Sequence, residues 1–273
     1  MQKKVLIISV YFNQENFLPY QISCLKKYLK EDFHFCFFDN SIDGMPSVKE
    51  RESEWGFEYF RIPQNIFSGG GASTRAGQSL DFAVKCSFEK YPDLDEVLIL
   101  DSDMFPVRSF TFQDLLEEND FGGIIQHRGH VFYYNNQLVA LKRSKISDWK
   151  NFSFDTAHIE GEATDCGGKI FFFFRDDNPQ VTRKNFIGIH SSQLSLENSS
   201  RWNEIEEIDG ENSFLRDFFI EDIKLNGGHN FSEVYNTGFL HFRAGSNWIN
   251  FGESTKSSRE QNLFKFLQNI TGK

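Results

Sequence analysis

The chain's most concentrated chemistry lies where an apolar run, Val97-Leu98-Ile99-Leu100, feeds straight into Asp101-Ser102-Asp103. In an open parallel sheet, ligands bind beyond the carboxyl ends of the strands, so two carboxylates at such an end face a crevice. Their hard oxygens suit Mg²⁺ or Mn²⁺. An Asp-x-Asp triplet is also common by chance: Asp93-Leu94-Asp95 is a second copy, and it reads as a solvated loop. Residues at earlier strand ends would share the crevice. Tyr11 and Asn13 follow the first strand, where Tyr11 offers a stacking face, and Asp39 and Asn40 follow the second, where Asp39 can accept a hydrogen bond from a nucleobase N–H. The competing reading is turn chemistry, because Asp and Asn at strand exits bond to local backbone.

A frame is needed to bring such residues together, and the first hundred residues supply one by alternating apolar strands with amphipathic helices. Val5 to Val10, Phe33 to Phe38, Phe57 to Ile62 and Val97 to Leu100 read as strands. Leu18, Ile22, Leu25 and Leu29 recur at helical spacing, Pro46 to Trp55 reads as a short helix, and a glycine-rich loop, Ser68 to Gly71, opens a longer one. The rhythm then changes. Phe121 to Gln126 reads as a strand, Asn135-Asn136 as a hairpin turn, residues 151–168 and 191–213 as irregular functional loops, and a closing helix starts near Ser258. The expected fold is α/β: a mostly parallel, Rossmann-like sheet with helices on both faces and a mixed antiparallel second half, within one domain spanning 1–273.

Composition narrows the function. With 39% hydrophobic residues and 32 Phe, more than a surface could display, most rings must be core. A net charge of −10 has the wrong sign for gripping a polyanionic backbone, so a nucleic-acid partner is disfavoured, although a divalent cation can join an acidic protein to a small phosphorylated ligand. Cys24, Cys36, Cys86 and Cys166 form no C-x-x-C pair and have no His at zinc-ligand spacing, so they read as reduced, mostly buried thiols. The amino terminus reads as a strand and not a signal peptide, and no stretch reaches the roughly 18 to 20 apolar residues of a membrane span. The expectation is a soluble, cytoplasmic protein, with peripheral membrane contact left open.

Tyr11-Phe12-Asn13-Gln14-Glu15-Asn16, then Phe38-Asp39-Asn40-Ser41, then Asn65 with Gly69 to Ala72 and Arg75, then Leu100-Asp101-Ser102-Asp103, resemble the ordered blocks of GT-A nucleotide-sugar glycosyltransferases. The likeness is strongest to the large inverting family that includes the polysaccharide synthases, and it covers about the first 110 residues. It implies that Tyr11, Asn13 and Asp39 hold the base and ribose, that Arg75 lies near the diphosphate, and that Asp103 ligates the metal, with Asp101 near the ribose or the metal's water shell. Ala76 departs from the pattern, since that family usually places Asn after the Arg. The late segment Gly238 to Trp248 is similar to one that gives some GT-A enzymes a histidine ligand, which implies His241 as a ligand and Arg243 as a phosphate contact. Asp165, chosen over Glu160 and Glu162, resembles the family's general base.

The resemblance thus implies a Mn²⁺- or Mg²⁺-dependent enzyme moving a sugar from a nucleotide diphosphate sugar, with UDP-sugars the expected donor class, to a hydroxyl acceptor on a glycan, lipid or protein. Two other readings fit less well. A haloacid-dehalogenase-like phosphatase needs Thr or Val where Phe105 stands, and a carbohydrate-binding protein would need its aromatics on the surface.

Overall fold

A segment apolar at every position needs cover on both faces, and β1 (Lys4–Tyr11) has it, with Val5 to Ile8 fully buried. In the computed structural model, which describes residues 4–196, 200–210, 214–226, 232–243 and 253–272, this strand starts the order of elements. It is followed by α1 (Leu18–Tyr28), β2 (Asp32–Asp39), the short helical turns α2 (Pro46–Lys49) and α3 (Glu52–Trp55), β3 (Glu58–Arg61), α4 (Ala72–Lys90) and β4 (Glu96–Asp101). Then come β5 (Met104–Pro106), α5 (Phe112–Leu116), β6 (Phe121–Arg128), β7 (Val131–Lys142), β8 (His158–Ile159), β9 (Glu162–Ala163), α6 (Gly168–Phe172) and β10 (Arg183–Asn185). The remainder holds β11 (Gly188–His190), α7 (Trp202–Asp209), α8 (Phe214–Asn226), β12 (Glu233–Tyr235), β13 (Phe239–His241) and α9 (Glu253–Thr271).

These elements form two compact units. The first comprises Met1–Glu15, Glu31–Asp101 and Phe112–Phe186, and the second comprises Asn16–Lys30, Ser102–Thr111 and Ile187–Lys273.

The first unit is an α/β layer built on a seven-stranded sheet in the order β10-β6-β7-β4-β1-β2-β3. Only β7 runs against the rest. Chain order reverses beside β1, with β2 and β3 on one side and β4 on the other. Such a switch point opens a crevice at the carboxyl ends of the strands. In register, Val10 of β1 lies opposite Asp101 of β4, which places Asn13 and Asp101 at that end. Helix α4 covers one face, packing Leu80, Ala83, Val84 and Phe88 onto Leu6, Ile8, Cys36 and Phe38.

Two features tie α4 to the segment after β7. A Cβ at Gly77 would meet the Phe154 carbonyl oxygen at 2.6 Å, so only glycine permits the approach. One turn on, the Asp81 carboxylate accepts the Phe154 N–H and the Ser153 hydroxyl, both at 2.6 Å. Burial nevertheless pushes the Asp81 carboxyl up to about 6, because desolvation outweighs both hydrogen bonds. A folded pKa above the unfolded one means that Asp81 stabilises the fold fully below about pH 4 and ceases to do so as pH rises through about 6. In urea unfolding, the wild type should therefore lose up to about 3 kcal/mol, relative to Asp81→Asn, between about pH 4 and pH 7. Parallel pH profiles for the two proteins would show that Asp81 is not the titrating group.

Three expectations are corrected. Asn135-Asn136 is not a turn: β7 runs straight through it, and the hairpin reverses at Gly129, which takes a φ of +54°. A register shift between Gly123 and Ile124, after which Ile124 pairs with Asn135, leaves residues 136–138 as a bulge within the strand. Residues 191–213 are not wholly irregular, since α7 forms within them around buried Trp202, Ile205 and Ile208. The closing helix begins at Glu253 rather than near Ser258.

The second unit carries a four-stranded antiparallel sheet, β11-β12-β13-β5, together with α1, α7, α8 and α9. Its helical core is pinned by an ion pair with almost no solvent exposure. The Arg259 guanidinium, 1% exposed, donates to one carboxylate oxygen of Asp222 at 3.1 and 3.2 Å and lies 4.9 Å over the Phe242 ring. Among the described residues, no helix is long and apolar enough to cross a membrane.

Candidate functional site

Antiparallel register builds a polar cluster in the second unit. His190 of β11 pairs with Glu233 of β12, Glu233 with His241 of β13, and His241 with Met104 of β5. Directly opposed residues share a face, so three short strands line up two imidazoles with a carboxylate between them. Asp103 immediately precedes β5, and its carbonyl accepts the Phe242 N–H at 3.0 Å, which fixes it beside β13.

The resulting contacts are close and dry. His241, 2% exposed, faces Asp103 Oδ1 with Nε2 at 3.2 Å and Glu233 Oε1 with Nδ1 at 2.8 Å. The other Glu233 oxygen lies 2.9 Å from His190 Nε2. Burial alone would favour a neutral imidazole, but the Asp103 and Glu233 carboxylates override it and raise the His241 pKa to about 9. Burial likewise disfavours an ionised Glu233, yet hydrogen bonds from His190 and His241 hold it well below the usual carboxylate range. Protonated, His241 is an internal cation bridging two acids. Deprotonated at Nε2, it becomes a neutral nitrogen donor oriented by Glu233 and adjoining the Asp103 oxygen, the usual arrangement of a carboxylate-supported metal ligand.

Arg243 lies two residues past β13 at a φ of 44°, with its Nε 3.8 Å from Glu233 Oε1 and its side chain 38% exposed. Ala244 to Trp248 of the same segment lie outside the described residues. Glu233 and His190 were missed in the sequence. Glu233 lies in no strong apolar run, and His190 gained a partner only through strand pairing.

In the first unit, Asp101 ends β4 and is half-buried, two residues before Asp103 in the chain. Asn13 is exposed past the end of β1, with φ 54° and its N–H on the Ser41 hydroxyl. Arg75 sits in the first turn of α4 with its guanidinium 4.3 Å from the Phe67 ring and 5.9 Å from Phe12, and it donates to the Gln64 side chain. Asp165 lies three residues before α6. The Tyr133 hydroxyl accepts its N–H at 2.9 Å, Arg128 lies 3.3 Å from its carboxylate, and that side chain is 35% exposed. A Cβ at Gly167 would strike the Tyr134 carbonyl at 2.1 Å, so this loop must carry glycine to close against β7. Burial pushes the Cys166 thiol well up, with the Asp101 and Asp165 carboxylates adding to it. Glu160 and Glu162 lie at the exposed surface near His130.

Two expected contacts are corrected. Tyr11 is fully buried with its ring 4.6 Å from that of Phe37, so the core occupies its stacking face. The Asp39 carboxylate, also fully buried, accepts the N–H groups of Ser41 and Met45 at 2.8 and 2.7 Å, the Tyr59 hydroxyl at 2.5 Å, and pairs with Arg61 at 3.2 Å. Both oxygens are committed to closing the loop after β2, which is the turn-chemistry reading. Asp93 and Asp95 lie exposed in their turn, and Asp95 anchors Ser144.

The sheet order, its single reversed strand and the switch point beside β1 define a Rossmann-like α/β fold. Among solved structures, the chain is similar to an active-site mutant of LgtC, at 16% identity and a TM-score of 0.39, over 54% of this chain and 59% of that one. The likeness thus spans less than two thirds of that protein's length. No protein-family model matches the chain, and no curated protein matches it by sequence.

Proposed function

We propose that the chain is a metal-dependent glycosyltransferase that moves a sugar from a nucleotide diphosphate sugar, with UDP-sugars as the donor class, to a hydroxyl acceptor. The observation that carries this reading is the buried Asp103–His241 pair, 3.2 Å apart, placed directly after the strand-end Asp101. The donor set fits Mn²⁺ or Mg²⁺, because carboxylate oxygens suit both and a single imidazole suits Mn²⁺. Asp103 and His241 are the residues that would hold the ion, with Glu233 positioning His241. Bound there, such an ion supplies Lewis-acid stabilisation to the departing diphosphate.

The remaining work falls to the chain itself. Arg75 and Arg243 offer guanidinium forks to phosphate oxygens and add positive charge to a −10 protein. Asn13, exposed beyond β1, takes over the nucleoside contact that Tyr11 and Asp39 cannot make. As the acceptor oxygen bonds to the sugar's anomeric carbon and the carbon–diphosphate bond breaks, Asp165 takes the hydroxyl proton.

The test is a thermal-shift panel of nucleotide sugars with and without Mn²⁺. UDP-sugars should raise Tm by several degrees in the presence of Mn²⁺ and little without it, because a ligand stabilises the state it binds. A panel with no shift, or inorganic phosphate released from small phosphomonoesters, would replace this reading with a binding protein or a phosphatase.

A further inference from the structure

We propose that His34, Cys36 and Glu58 form a zinc site that staples β2, β3 and the end of α4. The site lies within the first unit and is independent of the transferase reading. Side chains along a strand alternate, so His34 and Cys36 share one face of β2, and the parallel register sets Glu58 of β3 opposite Cys36. One ligand atom from each lies within 4.8 Å of the others. Tetrahedral zinc with bonds of about 2.0–2.3 Å holds its donors roughly 3.5 Å apart, and His34 Nε2 already stands 3.1 Å from Glu58 Oε2. The end of α4 covers them: the Tyr91 hydroxyl is 2.7 Å from His34 Nε2 and contacts Glu58, and Lys90 pairs with Glu58. The fourth position falls to water or to the Tyr91 hydroxyl.

The sulfur is what singles out zinc. The thiol takes no part in the network of His34, Glu58, Lys90 and Tyr91: Cys36 lies fully buried at its floor beside the Ser87 hydroxyl, while His34 and Glu58, 30% and 24% exposed, leave the mouth open to an ion. A mixed nitrogen, sulfur and oxygen set is a zinc set, whereas the Asp103–His241 site is the harder one. On binding, Cys36 loses its proton to solvent and Lys90 swings from Glu58 into water. One thiolate and one carboxylate then cancel the charge of the divalent ion, so no net charge is buried. Without metal, burial pushes the Cys36 thiol up to about 12, which leaves it inert as a nucleophile.

Cobalt titration of the metal-stripped full chain is the direct test. Co²⁺ should produce a near-ultraviolet thiolate-to-cobalt band saturating at one equivalent. The band should survive in Asp103→Asn and vanish in Cys36→Ser. Zinc should raise Tm in the wild type and in Asp103→Asn, and have no effect in His34→Ala, a half-exposed substitution that spares the core. Absence of a thiolate band, its persistence in Cys36→Ser, or a zinc-dependent Tm rise that survives His34→Ala each overturns the site. None of these outcomes bears on nucleotide-sugar binding.

Discussion

Asp103→Asn is expected to cut sugar transfer on the order of 10³-fold or more while the protein stays folded. That loss equals about 4 kcal/mol of transition-state stabilisation, the scale associated with removing a charge aimed at a developing anion. Asparagine keeps the size of the side chain and a carbonyl oxygen near His241, so the change is confined to charge. The readout is nucleoside diphosphate released from a UDP-sugar in Mn²⁺, with circular dichroism as the folding control. Turnover within tenfold of wild type would remove Asp103 from the machinery and with it the reason to invoke a metal there. The matching control is Asp95→Asn, in the exposed Asp-x-Asp copy, which should leave turnover unchanged.

The largest stability effect should come from the Asp222–Arg259 pair, both side chains 1% exposed. Asp222→Ala strands a guanidinium away from water, and breaking a buried pair from one side costs about 3–5 kcal/mol. At roughly 2–4 °C per kcal/mol for a chain near this size, Tm should fall by about 10 °C. The double variant Asp222→Leu with Arg259→Met removes both charges and refills the space, so it should recover most of the loss. A single variant within about 1 kcal/mol of wild type, or a double variant as weak as the single, would mean that the pair contributes little and that packing against Phe242 does the holding.

Particular residues show how far the sequence reached. The alternation of apolar runs was enough to place β1, β2, β3, β4 and the long helix α4, because burial on both faces leaves a pattern that no loop shares. Asp101 and Asp103 were legible for the same reason, since an apolar strand pointed at them. Tyr11 and Asp39 carried the right residue types at the right strand ends, but type does not reveal whether a face is free. The Phe37 ring and the Arg61, Tyr59 and backbone donors had already taken both. The Asn135-Asn136 pair misled because a turn signal in a long strand can be absorbed by a bulge.

What the sequence determined by itself was the α/β class, the order of strands and helices in the first half, and the acidic end of the fourth strand. These follow from local periodicity, which each segment carries alone. Only the tertiary structure decided that Glu233 stands between His190 and His241, that Cys36 faces His34 and Glu58, and that Arg259 finds Asp222 in the core. Each of these is a pairing across distant segments, set by strand register and helix packing, and a register shift of one residue would turn the same side chains to opposite faces.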